Sequence, residues 1–401
     1  MNNEKKFPEI RFKGFINQWE QQNIGDICEF YRGLTYSPAD VTDSIGTLVL
    51  RSSNIKDGEI IDADNVYVDP LVVNCNNVSA GDVIVVVRNG SRNLIGKHAQ
   101  IKKTMDNTVI GAFMTGLRPA QPEFTNALLD TPRFNFEVLQ NLGATINQIT
   151  NGAFKQMSFM VPTDKDEQAS IGNFLRNIDD TIASKKQQHE QIIIIKKAML
   201  EKTFPKKGAN VPEIRFEGFV GAWETACLGE CFTERVERSA LGELLSVTIN
   251  AGVVKASSLQ RRDSSSDDKS NYKVVKIDDI AYNSMRMWQG ASGYSRYDGI
   301  VSPAYTVVTP KNKMHSPFFA CAFKRPEMIL AFEKSSQGLT SDNWNLKFPA
   351  FSRINVAFPE VDEQTAIASF FRGLDTLIEA QREELEKLQN IKSACISKML
   401  L

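Results

Sequence analysis

The chain has 401 residues, 42% hydrophobic and 24% charged, and a formal net charge of −1. That length exceeds one typical core and predicts two to three domains of ordinary globular composition. The charge balance excludes binding of nucleic acid or an anionic surface by gross charge alone, though not by one basic face.

In chain order, the first feature is KFPEIRFKGFINQWE, Lys6 to Glu20, which returns as NVPEIRFEGFVGAWE, Asn210 to Glu224. MNNEKKFPEI has no apolar signal region, and the longest tight apolar run, Ile192 to Ile195, is far short of a membrane span. The six cysteines (28, 75, 227, 231, 321 and 395) show no framework spacing, so reduced thiols in a cytoplasmic protein are expected. Residues 1–161 form a β-rich unit, with GTLVLRSSNIKDGEI and GDVIVVVRNGSRNLIG as Val/Ile runs bounded by Gly, Asn and Asp.

Residues 162–205 read as a central helix, opened by Pro162 and DEQASIGNFLRNIDDTI. Leu175, Ile178, Ile182, Lys185, His189, Ile192, Ile195 and Met199 recur at steps of three and four, a heptad-like seam. Residues 206–358 hold the linker PKKGAN and a second β-rich unit. Residues 359–401 repeat the helix from DEQTAIASFFRGLDTLI, with Phe371, Leu374, Ile378, Gln381, Leu385, Leu388, Ile391 and Cys395 as the matching seam. Each helix of about 38 residues would extend about 57 Å. One apolar stripe cannot stand alone in water, so the two helices are expected to pack on each other, antiparallel, around a pseudo-two-fold axis, the competing account being that each packs only on its own β-rich unit. The fold class is therefore α+β: two β-rich domains joined by two long coiled-coil helices.

Reactive constellations are missing from the pattern. GSRNLIGKH, Gly90 to His98, has five residues between its glycines where a phosphate loop needs four, and His98 stands where Ser or Thr should follow Lys97. Cys227 and Cys231 have no second Cys/His pair at zinc spacing, and there is no serine elbow or glycine-rich cofactor loop. No metal, cofactor or catalytic residue is expected in this chain.

What the diverged interiors do carry is polar and aromatic. VRNGSRNLIGK places Arg88, Asn89, Ser91, Arg92, Asn93 and Lys97 on a turn after an apolar strand. Arg matches guanine O6/N7, Asn matches adenine N6/N7, and both reach phosphates; a plain solvated hairpin turn is the competing account. YNSMRMWQGASGYSRYDGIVSPAY, from Tyr282 to Tyr305, gathers Asn283, Arg286, Trp288, Gln289 and Arg296 among aromatics. Those residue types suit a base-contacting surface, the competing account being aromatic core plus surface charge. Arg261 and Arg262, beside Lys255, are phosphate candidates or a solvated loop with Asp263, Asp267 and Asp268.

The ordered set of motifs resembles the specificity subunit of type I restriction–modification systems over essentially the whole chain. It comprises the duplicated PEIRFxGF…W, the repeated DEQxxI helix openings, LRSSNIKDGEI (Leu50 to Ile60, with Arg51 added as a DNA contact), GDVIVVVRNG, and DDIAYNSMRMWQGASGYS leading to GIVSPAYTV. The resemblance implies two target-recognition domains, each reading half of a bipartite double-stranded DNA sequence, with the helices fixing their separation. It implies two modification subunits, which use S-adenosylmethionine to methylate adenine at N6, and two restriction subunits driven by ATP with Mg2+, for defence against phage. Neither catalytic centre would lie in this chain, and no membrane is involved. The competing class is a non-catalytic protein-binding scaffold with two duplicated β-rich modules; a stand-alone nuclease is disfavoured by the missing acidic cluster.

Overall fold

The structure is a computed structural model that describes residues 6–143, 147–259, 265–340 and 343–401. Arg261, Arg262 and Asp263 lie outside the described residues. The chain forms two compact units, Met1–Gln187 with Glu383–Leu401, and Gln188–Arg382.

The first unit opens with an antiparallel pair, Glu20–Asn23 against Ser158–Val161, so the start of the chain is tied to the strand just before the long helix. Its main sheet runs in the order Cys28–Arg32, Met114–Pro119, Val83–Val86, His98–Gln100, antiparallel throughout. The strand Val83–Val86 is buried along its whole length, which explains its unbroken β-branched run. A second four-stranded sheet places Thr108–Ile110 parallel to Thr47–Leu50.

The second unit repeats the entry pair and the main sheet with different residues, while its remaining strands form two-stranded antiparallel sheets, Leu245–Thr248 with Gly252–Lys255 and Lys273–Val275 with Gly299–Val301. Glu224–Cys227 pairs with Asn355–Phe358, and the main sheet runs Phe232–Glu234, Tyr305–Pro310, Ile280–Asn283, Ser292–Tyr294. Its core is more aromatic, with Phe318, Phe319, Phe323, Phe332 and Phe351 all buried. Beyond the β-rich reading, each unit holds a consecutive pair of helices after its main sheet, Pro122–Leu129 and Pro132–Asn141 in the first, Ser316–Ala322 and Pro326–Ser335 in the second. All four begin with Pro within the first two positions, where its missing N–H is no loss.

The repeated motifs meet in space. In the first unit the Arg11 guanidinium donates from Nε and Nη2 to the two carboxylate oxygens of Glu167, at 2.6 and 2.7 Å. In the second, Arg215 grips Glu363 in the same two-pronged way, at 2.8 and 2.7 Å. Each arginine belongs to a PEIRF segment and each glutamate to a DEQ helix opening, so the two sequence repeats are the two jaws of one clamp. Both glutamates are almost wholly buried; a buried carboxylate is tolerated there because a fork of charge-assisted bonds satisfies it. One detail differs: the Trp19 indole N–H also reaches Glu167, whereas that of Trp223 has no hydrogen-bond partner among the described residues. The PEIRF segments also close helix ends: Ile10 N–H donates to the Lys398 carbonyl and Ile214 N–H to that of Lys202, each at 2.9 Å. A free carbonyl of a last helical turn is thereby satisfied in each unit.

The long helices are Lys165–Lys202, 38 residues, and Val361–Met399, 39 residues. Each carries two acids in its first turn and a lysine in its last, in accord with the helix dipole. Within the first unit Lys185 pairs with Glu384 and Lys392 with Asp179, at 2.9 and 2.7 Å, so numbering rises along one helix as it falls along the other. Within the second unit Lys196 pairs with Asp375.

Of the residues in the two periodic series, Leu175, Ile178, Ile182, Lys185, His189, Ile192 and Met199, and Phe371, Leu374, Ile378, Gln381, Leu385, Leu388 and Cys395, are buried or half-buried. Ile195 and Ile391 are 50% and 51% exposed. Their neighbours Lys196 and Lys392 are half-buried instead, and their ammonium groups reach Asp375 and Asp179. All six cysteines are free thiols, and burial pushes Cys28, Cys231 and Cys321 up to about 12. Among the described residues no helix is long and apolar enough to cross a membrane, and no group of acids, histidines or cysteines is placed to hold a metal ion.

Candidate nucleic-acid interface

In the first unit the strands Val83–Val86 and His98–Gln100 are joined by a loop carrying Arg88, Asn89, Ser91, Arg92, Asn93 and Lys97. In the second unit the strands Ile280–Asn283 and Ser292–Tyr294 are joined by a loop carrying Arg286, Trp288 and Gln289. These connections hold the same place in the two sheets, the third-to-fourth strand turn. The two candidate clusters, unlike in sequence, are therefore topologically equivalent.

The first loop is built around Asn89. Its side-chain carbonyl accepts the Ser91 N–H at 2.9 Å, an Asx turn, while its amide donates to Ser52 Oγ at 3.0 Å. Lys97 Nζ donates to the Ser52 carbonyl at 3.1 Å. The Arg88 guanidinium lies 4.9 Å over the half-exposed ring of Phe113, which steadies the cation without neutralising it. Arg92 and Asn93 are exposed and have no side-chain partner among the described residues, so they are the freest to meet a ligand. Arg51 stands beside this loop, one residue before Ser52, but Asp64 engages it at 2.7 Å.

The second loop is a short 3-10 turn, Met287–Gln289, closed by Gly290 at φ +84°. Only a residue without Cβ adopts that left-handed backbone at no cost. Asn283 accepts the Met285 N–H at 3.1 Å, Arg286 donates to Gln289 at 3.2 Å, and the Trp288 indole N–H is held by the Met285 carbonyl at 3.1 Å. Lys324 fastens the turn from behind, donating to the carbonyls of Gly290 and Ile249. Burial pulls its ammonium down to about 8, helped by nearby Lys196. Arg296 is not brought together with the residues of this turn. It follows the strand Ser292–Tyr294, at the far end from the turn, where it donates to Tyr294 Oη at 2.9 Å.

Behind the first loop a charged cluster connects it to helix. His98 faces the Gly96 carbonyl with Nδ1 at 3.0 Å and Asp130 with Nε2 at 3.3 Å, and Asp130 also receives Lys392 at 2.7 Å. Burial alone would raise the Asp130 carboxyl, but His98 and Lys392 outweigh it and hold it at about 2.

The sequence reading missed a second loop in each unit. Ile149 N–H donates to the Val87 carbonyl at 2.9 Å, and Leu346 N–H to that of Ser284 at 2.8 Å. Asn147 and Gln148 are thus set beside the first turn, and Trp344 and Asn345 beside the second. The polar and aromatic string ending at Asn345, with Gln337, Asn343 and Trp344, was the available signal.

Together these features define a tandem-repeat α+β protein with two loop surfaces framed alike and furnished differently. The chain belongs to the type I restriction modification DNA specificity domain family, whose model matches residues 16–193 and again 221–390. It is 26% identical over 182 residues to the type I restriction enzyme StySPI specificity subunit of Salmonella potsdam, and 25% identical over 182 residues to the EcoKI specificity subunit of Escherichia coli strain K12. Each match covers 43% of this chain and spans 39% of the relative's length. The fold is similar to the S subunit of a type I system from M. genitalium, with TM-score 0.61 and 17% identity over 98% of this chain and 99% of that one. A structure described for complex assembly and conformational transition of a type I system gives TM-score 0.52 and 14% identity over 95% and 97%.

Proposed function

We propose that this chain is the DNA-reading subunit of a type I restriction–modification complex. The observation that carries the reading is the pair of equivalent turns, one furnished with Arg88, Asn89, Arg92, Asn93 and Lys97, the other with Arg286, Trp288 and Gln289. Each unit reads its own half of a bipartite duplex sequence, by base contacts from the turns and phosphate contacts from exposed arginine. The two long helices pair antiparallel as a coiled coil about a pseudo-two-fold axis and set the distance between the half-sites. Support comes from the unbroken lengths of 38 and 39 residues and from the repeat-equivalent pairs Lys196–Asp375 and Lys392–Asp179.

The chemistry is assigned to partners: two modification subunits with S-adenosylmethionine methylate adenine at N6 after flipping it from the stack, and two restriction subunits use ATP and Mg2+ to translocate and cut. This chain chooses the site and catalyses nothing.

The test is to insert one heptad at the middle of both helices, after residues 187 and 383. Seven residues add about 10.5 Å while nearly preserving the helix face, close to the rise of about three base pairs. Sequencing the methylated motif should show a longer spacer between unchanged half-sites; an unaltered spacer refutes the reading.

A further inference from the structure

We infer that Asn147 and Gln148 in the first unit, and Asn343, Trp344 and Asn345 in the second, are specificity determinants that form one reading surface with the neighbouring turn; this rests on the DNA-reading function proposed above. The stitching is the same in both units. The bonds Ile149 to Val87 and Leu346 to Ser284 join positions that correspond across the two units, each partner 197 residues further on, and both Ile149 and Leu346 are buried anchors. The anchoring is therefore framework.

What the anchored loops present is not framework. In the first unit the Asn147 side-chain amide donates to the Gly90 carbonyl at 3.0 Å, and the backbone bridge between Arg88 and Gln148, closed by the Asn89 N–H to the Asn147 main-chain carbonyl at 3.2 Å, sets the half-buried Gln148 side chain beside the turn. In the second unit Trp344 stands edge-on to Trp288, with ring centres 5.3 Å apart and planes at 77°, and exposed Asn343 precedes it. The indole of Trp288 is already held by Met285, so Trp344 is positioned against a fixed ring and not against a mobile one. Constant anchoring with exchanged side chains is the same signature that marks the primary turns. A packed pair of aromatics beside Arg286 and Gln289 offers a rigid apolar edge for a thymine methyl group, next to hydrogen-bonding groups that read base edges.

The experiment measures preference, which a merely structural role would not move. The full chain, assembled with its modification subunits, is tested on duplexes carrying single base changes across both half-sites. Trp344→Ala should reduce discrimination about tenfold or more at one position of one half-site, leaving the other half-site intact, with Trp344→Phe retaining part of it. Gln148→Ala should relax the opposite half-site. Asn343→Ala, at an exposed site that cannot unfold the unit, provides the same readout if Trp344→Ala is unstable. Uniform weakening on every duplex, or unchanged preference in all these variants, overturns the inference. If Arg286→Ala and Arg92→Ala also leave every preference unchanged, the underlying reading of the turns falls with it.

Discussion

The clamp between each PEIRF arginine and its helix glutamate makes a quantitative prediction. Arg215→Met removes both bonds to Glu363 and leaves that carboxylate at 2% exposure with no counter-ion. The carbonyls of Val220 and Gly221 also lose their donor, but they are exposed and water replaces it. The dominant loss is the stranded buried charge, about 3–5 kcal/mol, a large share of the roughly 5–15 kcal/mol that holds a domain. Adding Glu363→Leu removes the stranded charge, so the double variant should recover most of the loss and show strong non-additivity. Because a chain of two units need not unfold in one step, the assay is native-state hydrogen exchange on the strand amides of Glu224–Cys227 and Asn355–Phe358. A single-variant loss below about 1 kcal/mol, or a double variant as costly as the summed singles, would refute the reasoning.

Acid should expose the cluster behind the first loop. Asp130 is held at about 2, so its contribution is complete above the ordinary carboxylate range near pH 4 and is lost as pH falls through about 2. Asp130→Asn should therefore lack about 1–2 kcal/mol of the first unit's stability loss between pH 4 and 2, read as the difference from the native chain by hydrogen exchange. Lys392→Met, which removes one of the groups that depress Asp130, should shift the same limb toward higher pH; an unmoved limb in both variants would dissociate Asp130 from acid sensitivity.

The framework was legible because it is said twice: a motif repeated with its neighbours at near-constant spacing must be doing the same job in both places. Arg11 and Glu167 lie far apart in the chain, yet both belong to repeated strings, and the structure joins them. Within the two periodic series, Ile195 and Ile391 are exposed. There an apolar reading chose isoleucine, whereas the half-buried residue is the neighbouring lysine, which pairs with an aspartate of the other long helix. Hydrophobic periodicity has no term for an ion pair formed between distant residues. The primary turns were recognised as Gly-bounded polar strings after apolar strands. The second loops escaped because they reach those turns through backbone bonds between distant residues, Ile149 to Val87 and Leu346 to Ser284 among them, which leave no local pattern. Arg296 was grouped with Arg286 by nearness in sequence, but a strand separates them and carries Arg296 to the opposite end.

The central claim is that two units built on one frame read two unlike half-sites independently. Its most direct test replaces residues 213–357 with the corresponding segment of another member of the family and sequences the methylated DNA of a host carrying the assembled complex. The account predicts that one half-site changes while the other half-site stays as it was. A change in both half-sites would contradict it.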